Sequence, residues 1–175
     1  MLSAHRIEDF RRGFIYDAWA NARVAACLAA SAPTDAARSR WNHIIDSKRV
    51  WLARVRGDEV DHVASADRSF EEAAALLVEV EAGWAEVLSE MSGAELDRVV
   101  TFHNRQGVPQ ADTLSDILQQ VALHGAYHRG QIVAMAKASG ATPPATDFIV
   151  FAREQNRPPG DSRKMPAVAF GRTGH

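Results

Sequence analysis

The sequence predicts an all-α fold, a four-helix bundle with a short β-hairpin between its third and fourth helices. Three observations carry that expectation. Apolar residues recur at i, i+3, i+4 and i+7 in four long stretches, the pattern of helices with one buried face. Capping residues and helix breakers, Pro33, Gly57 and Gly140 among them, separate the stretches. A single β-favouring segment interrupts the series between the third and the fourth.

The first helix spans about residues 4–30 and carries Ile7, Phe10, Phe14, Val24 and Leu28 on one stripe. Pro33 cannot continue it, and Thr34 or Asp35 suits the cap of the next helix. That second helix covers about 35–56 and closes on Gly57. A third runs over about 67–92, with Ser65 or Asp67 as its cap and glutamates favouring its first turn. The segment 97–110, DRVVTFHNRQGVPQ, places β-branched and aromatic residues before a turn-forming NRQG and reads as a hairpin. The fourth helix covers about 113–139, opened by Thr113 or Asp112 and closed by Gly140. A last short helix follows Thr146 or Asp147. Residues 1–156 are expected to form one domain, and the Pro-, Gly- and Arg-rich segment 157–175 an extended tail.

Composition narrows the function classes. A hydrophobic content of 46% with 24% charged residues is that of an ordinary globular chain of one domain. The net charge of −2 offers no basic stripe for a duplex, so no nucleic-acid partner is expected. The start, MLSAHRIEDFRRGF, has no apolar h-region, and no apolar run approaches the length of a membrane span. Cys27 is alone, which suits a reducing compartment. The expectation is a soluble, cytoplasmic protein without a membrane partner.

The stretch VALHGAYHRGQIVAMAKASG, residues 121–140, holds the chemistry. His124 and His128 fall inside the apolar stripe formed by Leu114, Ile117, Leu118, Val121, Ile132 and Met135. Four residues apart, they share one helix face with Cβ atoms roughly 5–6 Å from each other. Buried imidazoles need partners: they are either core histidines bonded to neighbours, or ligands. Gly125 stands where a zinc protease would carry its glutamate, so that motif is absent. His43, at the edge of the buried face of the second helix, supplies a third imidazole from a facing helix. Three histidines suit zinc, nickel or a similar ion and leave one coordination position open. Ligating rings must be neutral, so affinity is expected to fall below about pH 6.5.

Other residues weigh less. His103 is a rival ligand placed by the hairpin at the surface, and His5, His62 and His175 stand near a terminus or in charged loops. Cys27 reads as a small buried hydrophobe. Arg129 and Gln131 flank the histidines but face other directions on the helix. Gly125 and Gly130 leave room for a neighbouring helix or a substrate, and Asn21, Asp46 and Ser47 are candidate outer partners of the ligands. No catalytic acid or base stands out.

Three segments carry a resemblance to a known family: YDAWANARV at 16–24, NHIIDSKRVWLARVRG at 42–57 and LHGAYHRGQIVAMAKASGATPPATDFIVFARE at 123–154. The last, with HxxxHRGQI followed by PxTDFIxFxRE, is the most specific. The chain resembles the DinB family of DNA-damage-inducible, metal-binding four-helix-bundle proteins over about residues 4–155. The resemblance implies a divalent ion, zinc or nickel, on His43, His124 and His128, and a homodimer. It also implies a related branch of S-transferases that use a low-molecular-weight thiol such as bacillithiol, mycothiol or glutathione. A metal-dependent enzyme, either such a thiol S-transferase or a hydrolase acting on a small-molecule substrate, is therefore the first expectation. A non-catalytic metal-binding stress-response protein is the alternative.

Overall fold

The computed structural model describes residues 2–59 and 68–157, with side chains from residue 6 onward. Among these residues the fold is mostly helical, with one small hairpin. Five α-helices are present: α1 (Leu2–Ala29), α2 (Asp35–Arg56), α3 (Phe70–Glu90), α4 (Leu114–Ala138) and α5 (Phe148–Gln155). Between α3 and α4 lie a 3₁₀ turn (Gly93–Asp97) and the strands β1 (Val99–His103) and β2 (Pro109–Thr113). No described helix is long and apolar enough to cross a membrane. The tail expected at 157–175 lies, beyond Arg157, outside the described residues.

Local chemistry accounts for the boundaries. Thr34 caps α2 by accepting from the Ala37 N–H, and Gly57 ends it at φ 83°, a left-handed conformation that glycine adopts without strain. The start of α3 corrects the expectation. Ser65 and Asp67 lie outside the described residues, and the cap is Ser69, in a reciprocal capping box with Glu72. The hairpin also reaches further than expected. Val99 pairs with Thr113 and His103 with Pro109, so Asp112 belongs to β2 and Thr113 alone caps α4, through the Asp116 N–H. Asn104 closes the turn by accepting from the N–H groups of Gln106 and Val108. On α5 the N-cap position falls on Asp147, although its side chain makes no capping bond.

Each long helix packs chiefly on two others: α1 on α3 and α4, and α2 on α3 and α4. Helices consecutive in sequence, α1 with α2 and α3 with α4, are therefore not the main partners. The 3₁₀ turn and the hairpin supply the chain needed to pass from α3 to α4. Trp84, Leu88, Leu96, Leu114 and Leu118 belong to one apolar cluster. Trp41, Ile44, Ile45 and Ile132 belong to a second. The hairpin docks on α2 through Arg54, whose guanidinium lies 4.6 Å from the Trp51 ring and 4.0 Å from the Phe102 ring.

A buried charge cluster joins the long helices. Asp17 of α1 accepts from Lys48 Nζ of α2 at 2.5 Å through Oδ2 and pairs with Arg129 of α4 through Oδ1. Asn21 Oδ1 accepts from Arg129 at 2.8 Å, and Asn21 Nδ2 donates to Glu81 of α3 at 2.9 Å. Asp17, Lys48 and Arg129 are each at most 2% exposed. Burial works to raise the Asp17 pKa, but the charges and hydrogen bonds of Lys48 and Arg129 outweigh it and hold the carboxyl below its ordinary value. Gly125 makes this possible. A Cβ there would stand 2.8 Å from Asp17 Oδ1 and 3.1 Å from Arg129 Nη1.

Three outcomes follow for stability. Gly125→Ala improves helix propensity by about 1 kcal/mol, but overpacking against the ion pair costs about 1–3 kcal/mol. Urea unfolding should show a net loss, and a more stable variant would mean that the pair moves aside freely. Asp17→Ala should cost about 3–5 kcal/mol, because it strands buried cations. Arg56→Ala, in the exposed pair with Glu86, should cost no more than about 1 kcal/mol.

Candidate metal centre

The helical repeat of α4 puts His124 and His128 on one face, and α2 brings His43 against them. One nitrogen from each of the three rings lies within 4.8 Å of those from the other two. His124 Nε2 and His43 Nε2 are 3.1 Å apart, so one donates to the other in the metal-free protein. Ring centroids stand 4.4 Å apart for His124 with His128 and 4.8 Å for His43 with His128. His128 is buried, whereas His43 and His124 are half-buried and open one side of the cluster to solvent.

Gln131, expected to face elsewhere, orients one of the rings. Its Oε1 lies 2.9 Å from His128 Nδ1. The carbonyl oxygen accepts, so Nδ1 carries a proton, and in the neutral ring Nε2 is the nitrogen left with a lone pair. The exposed Tyr127 ring stands edge-on to His128 at 5.0 Å.

Electrostatics favour neutral imidazoles. Burial lowers the His43 pKa, and His128, Arg105 and Arg40 add to that, with Asp46 opposing. Burial, then His128 and His43, pushes His124 down to about 4. For these two rings, proton competition with a metal therefore sets in at lower pH than the 6.5 expected from the free side chain.

The residues fit a divalent ion. Tetrahedral zinc with Zn–N of about 2.0–2.1 Å sets its ligand nitrogens about 3.4 Å apart, within reach of small side-chain rotations here. The donor set is three imidazole nitrogens, and among the described residues no carboxylate or thiolate joins the group. Such a set suits zinc or nickel and leaves a position for an exogenous ligand.

The other candidates take different places. His103 is exposed on β1, as expected. The side chains of His5, His62 and His175 lie outside the described residues. Cys27 is half-buried rather than enclosed, beside Pro143 and Pro144. Arg129 is not turned to solvent but is bound to Asp17, and Asn21 belongs to the same cluster instead of the triad. Asp46 pairs with Arg68 at 2.5 Å, and Ser47 is half-buried one turn beyond His43. Gly130 is exposed, with open space where a Cβ would stand. Sequence reasoning passed over Asp17 and Lys48. The signal was present: Asp17 continues the stripe Ile7, Phe10, Phe14, and Lys48 stands between Ile44 and Leu52.

Histidine titration in the metal-free protein checks the electrostatics. The His124 ring should titrate near 4 by NMR, and His43→Ala should move it back toward its free value. The unfolded chain takes up the His124 proton below about 6.5, where the folded chain does not. Stability should therefore be fully present above that pH and decline as pH falls toward 4.

The family model of the DinB family matches residues 28–163. No curated protein and no solved structure matches. The match covers most of the chain, including all three histidines, and the chain belongs to the DinB family.

Proposed function

We infer that the protein is a divalent-metal-binding member of this family, with zinc or nickel held by His43, His124 and His128. The observation that carries this reading is the convergence of three imidazoles from two helices with no fourth protein donor among the described residues. When bound, the ion supplies Lewis acidity, which favours the deprotonated form of a thiol or water in its open position. The chain's own residues prepare that position. Gln131 fixes the His128 ring, burial keeps His124 neutral, and Asp17 holds α4 through Arg129.

The reaction class that suits such a centre is transfer to or from a low-molecular-weight thiol, or hydrolysis of a small molecule. The four long helices are read as a bundle, and the assembly as a cytoplasmic homodimer, in keeping with the family. A second reading, metal binding without turnover, draws on the triad's position: an ion there ties α2 to α4, and no carboxylate accompanies it.

Metal analysis tests the centre. The purified protein should hold about one ion per chain, and His43→Ala, His124→Ala and His128→Ala should each lose it. Gln131→Ala should lower affinity by about 10–100-fold while leaving the ion count at saturation unchanged. Full occupancy at wild-type affinity in any histidine variant would remove that residue from the site. Chelation should lower the melting temperature without unfolding the chain. In cobalt-loaded protein, added glutathione, bacillithiol, mycothiol or cysteine should raise a sulfur-to-cobalt charge-transfer band. A spectrum unmoved by all four rules out the thiol-transferase reading.

A further inference from the structure

A cavity of about 440 Å³ opens between α1 and α3, a volume ordinary for a small-molecule pocket. Its walls are apolar: Phe14, Ile15 and Ala18 on one side, Trp84, Ala85 and Leu88 on the other. Lys48 and Glu81, members of the buried charge cluster, also line it. This cavity is independent of the histidine triad, which lies on α2 and α4.

The polar groups limit what can bind. Arg11 also lines the cavity, but its guanidinium is already bonded to the carbonyls of Leu88 and Met91, each at 2.9 Å. Lys48 Nζ lies between Asp17 at 2.5 Å and Glu81 Oε1 at 3.7 Å. Glu81 Oε1 also accepts from Asn21, and neither contact uses Glu81 Oε2. A polar group offered to a ligand is therefore an acceptor. Its charge is already balanced, since Asp17 and Glu81 match Lys48 and Arg129 within one cluster. A carboxylate would face a carboxylate, and a cation would leave one charge in excess beside a partly desolvated cluster. A neutral donor fits both constraints.

We propose that this cavity binds a small neutral apolar molecule bearing one hydroxyl group, an aliphatic alcohol or a phenol. The body lies along the α1 and α3 walls at Ile15, Ala18 and Ala85, beside the Phe14 and Trp84 rings, which touch each other at 5.0 Å between centroids. The O–H donates to Glu81 Oε2. Three probes of equal chain length separate the alternatives: hexan-1-ol, hexanoate and hexylamine, titrated into the full-length protein by calorimetry and by NMR of the Ala18 and Ala85 methyls. Hexan-1-ol should bind about tenfold more tightly than either charged probe. Ala85→Leu fills the cavity from an exposed position, and should abolish binding while the melting temperature stays within a few degrees of wild type. Glu81→Gln replaces the acceptor with an amide and should reduce the preference for hexan-1-ol over hexan-2-one. Equal affinity for the three probes, no binding at millimolar concentration, or Ala85→Leu binding as wild type would each overturn the proposal.

Discussion

The carboxylate of Asp17 is the constraint on which the rest of the structure depends. It stands in the interior with a cation from α2 on one oxygen and a cation from α4 on the other. Glu81 of α3 is joined to it through Asn21 and Lys48. Four helices thus contribute to one electrically balanced cluster. Apolar contacts alone tolerate sliding and repacking. A buried charge does not, because any register that parts it from its partner leaves an uncompensated ion. The core supplies the driving force for association, and the cluster restricts how the helices associate.

The histidine triad inherits its order from that restriction. Within one stretch of α4, His124 and His128 alternate with Gly125 and Arg129. The two histidines meet α2, while Gly125 and Arg129 meet Asp17 of α1. The helix is held on one side by ions and offers neutral rings on the other. This division matters for chemistry. The cations stay bound in their cluster, and His43 and His124 offer lone pairs of depressed basicity. Gln131, one turn beyond His128, completes the arrangement by fixing which nitrogen of that ring carries its proton.

Much of this is legible in the sequence, and the exceptions have physical causes. The helix stripes, the Thr34 and Thr113 caps, the Gly57 stop and the hairpin follow from short-range rules that use a few adjacent residues. The three histidines stand out because polar rings on an apolar stripe demand an explanation. Asp17 and Lys48 present the same anomaly, yet their partners are 31 residues apart in the chain. Arg129 is 112 residues from Asp17. A charged residue at a stripe position is read as solvated until its counterion is known, and no local pattern names that counterion. The start of α3 moved for a simpler reason: Ser65, Asp67 and Ser69 all qualify as caps, but only Ser69 has a glutamate three residues on, Glu72, in register with the helix.

Gly125 bears on how this chain can diverge. A side chain at that position cannot coexist with the Asp17–Arg129 pair as it stands, and losing Asp17 orphans Lys48 as well. Positions 17, 48, 125 and 129 therefore form a block of inheritance. Drift must carry them together or leave them alone, although they are scattered over three helices. The same holds for transplantation. Moving the three histidines into another helical scaffold would copy the rings without the bolt that aligns them, and the four-residue block would have to travel too.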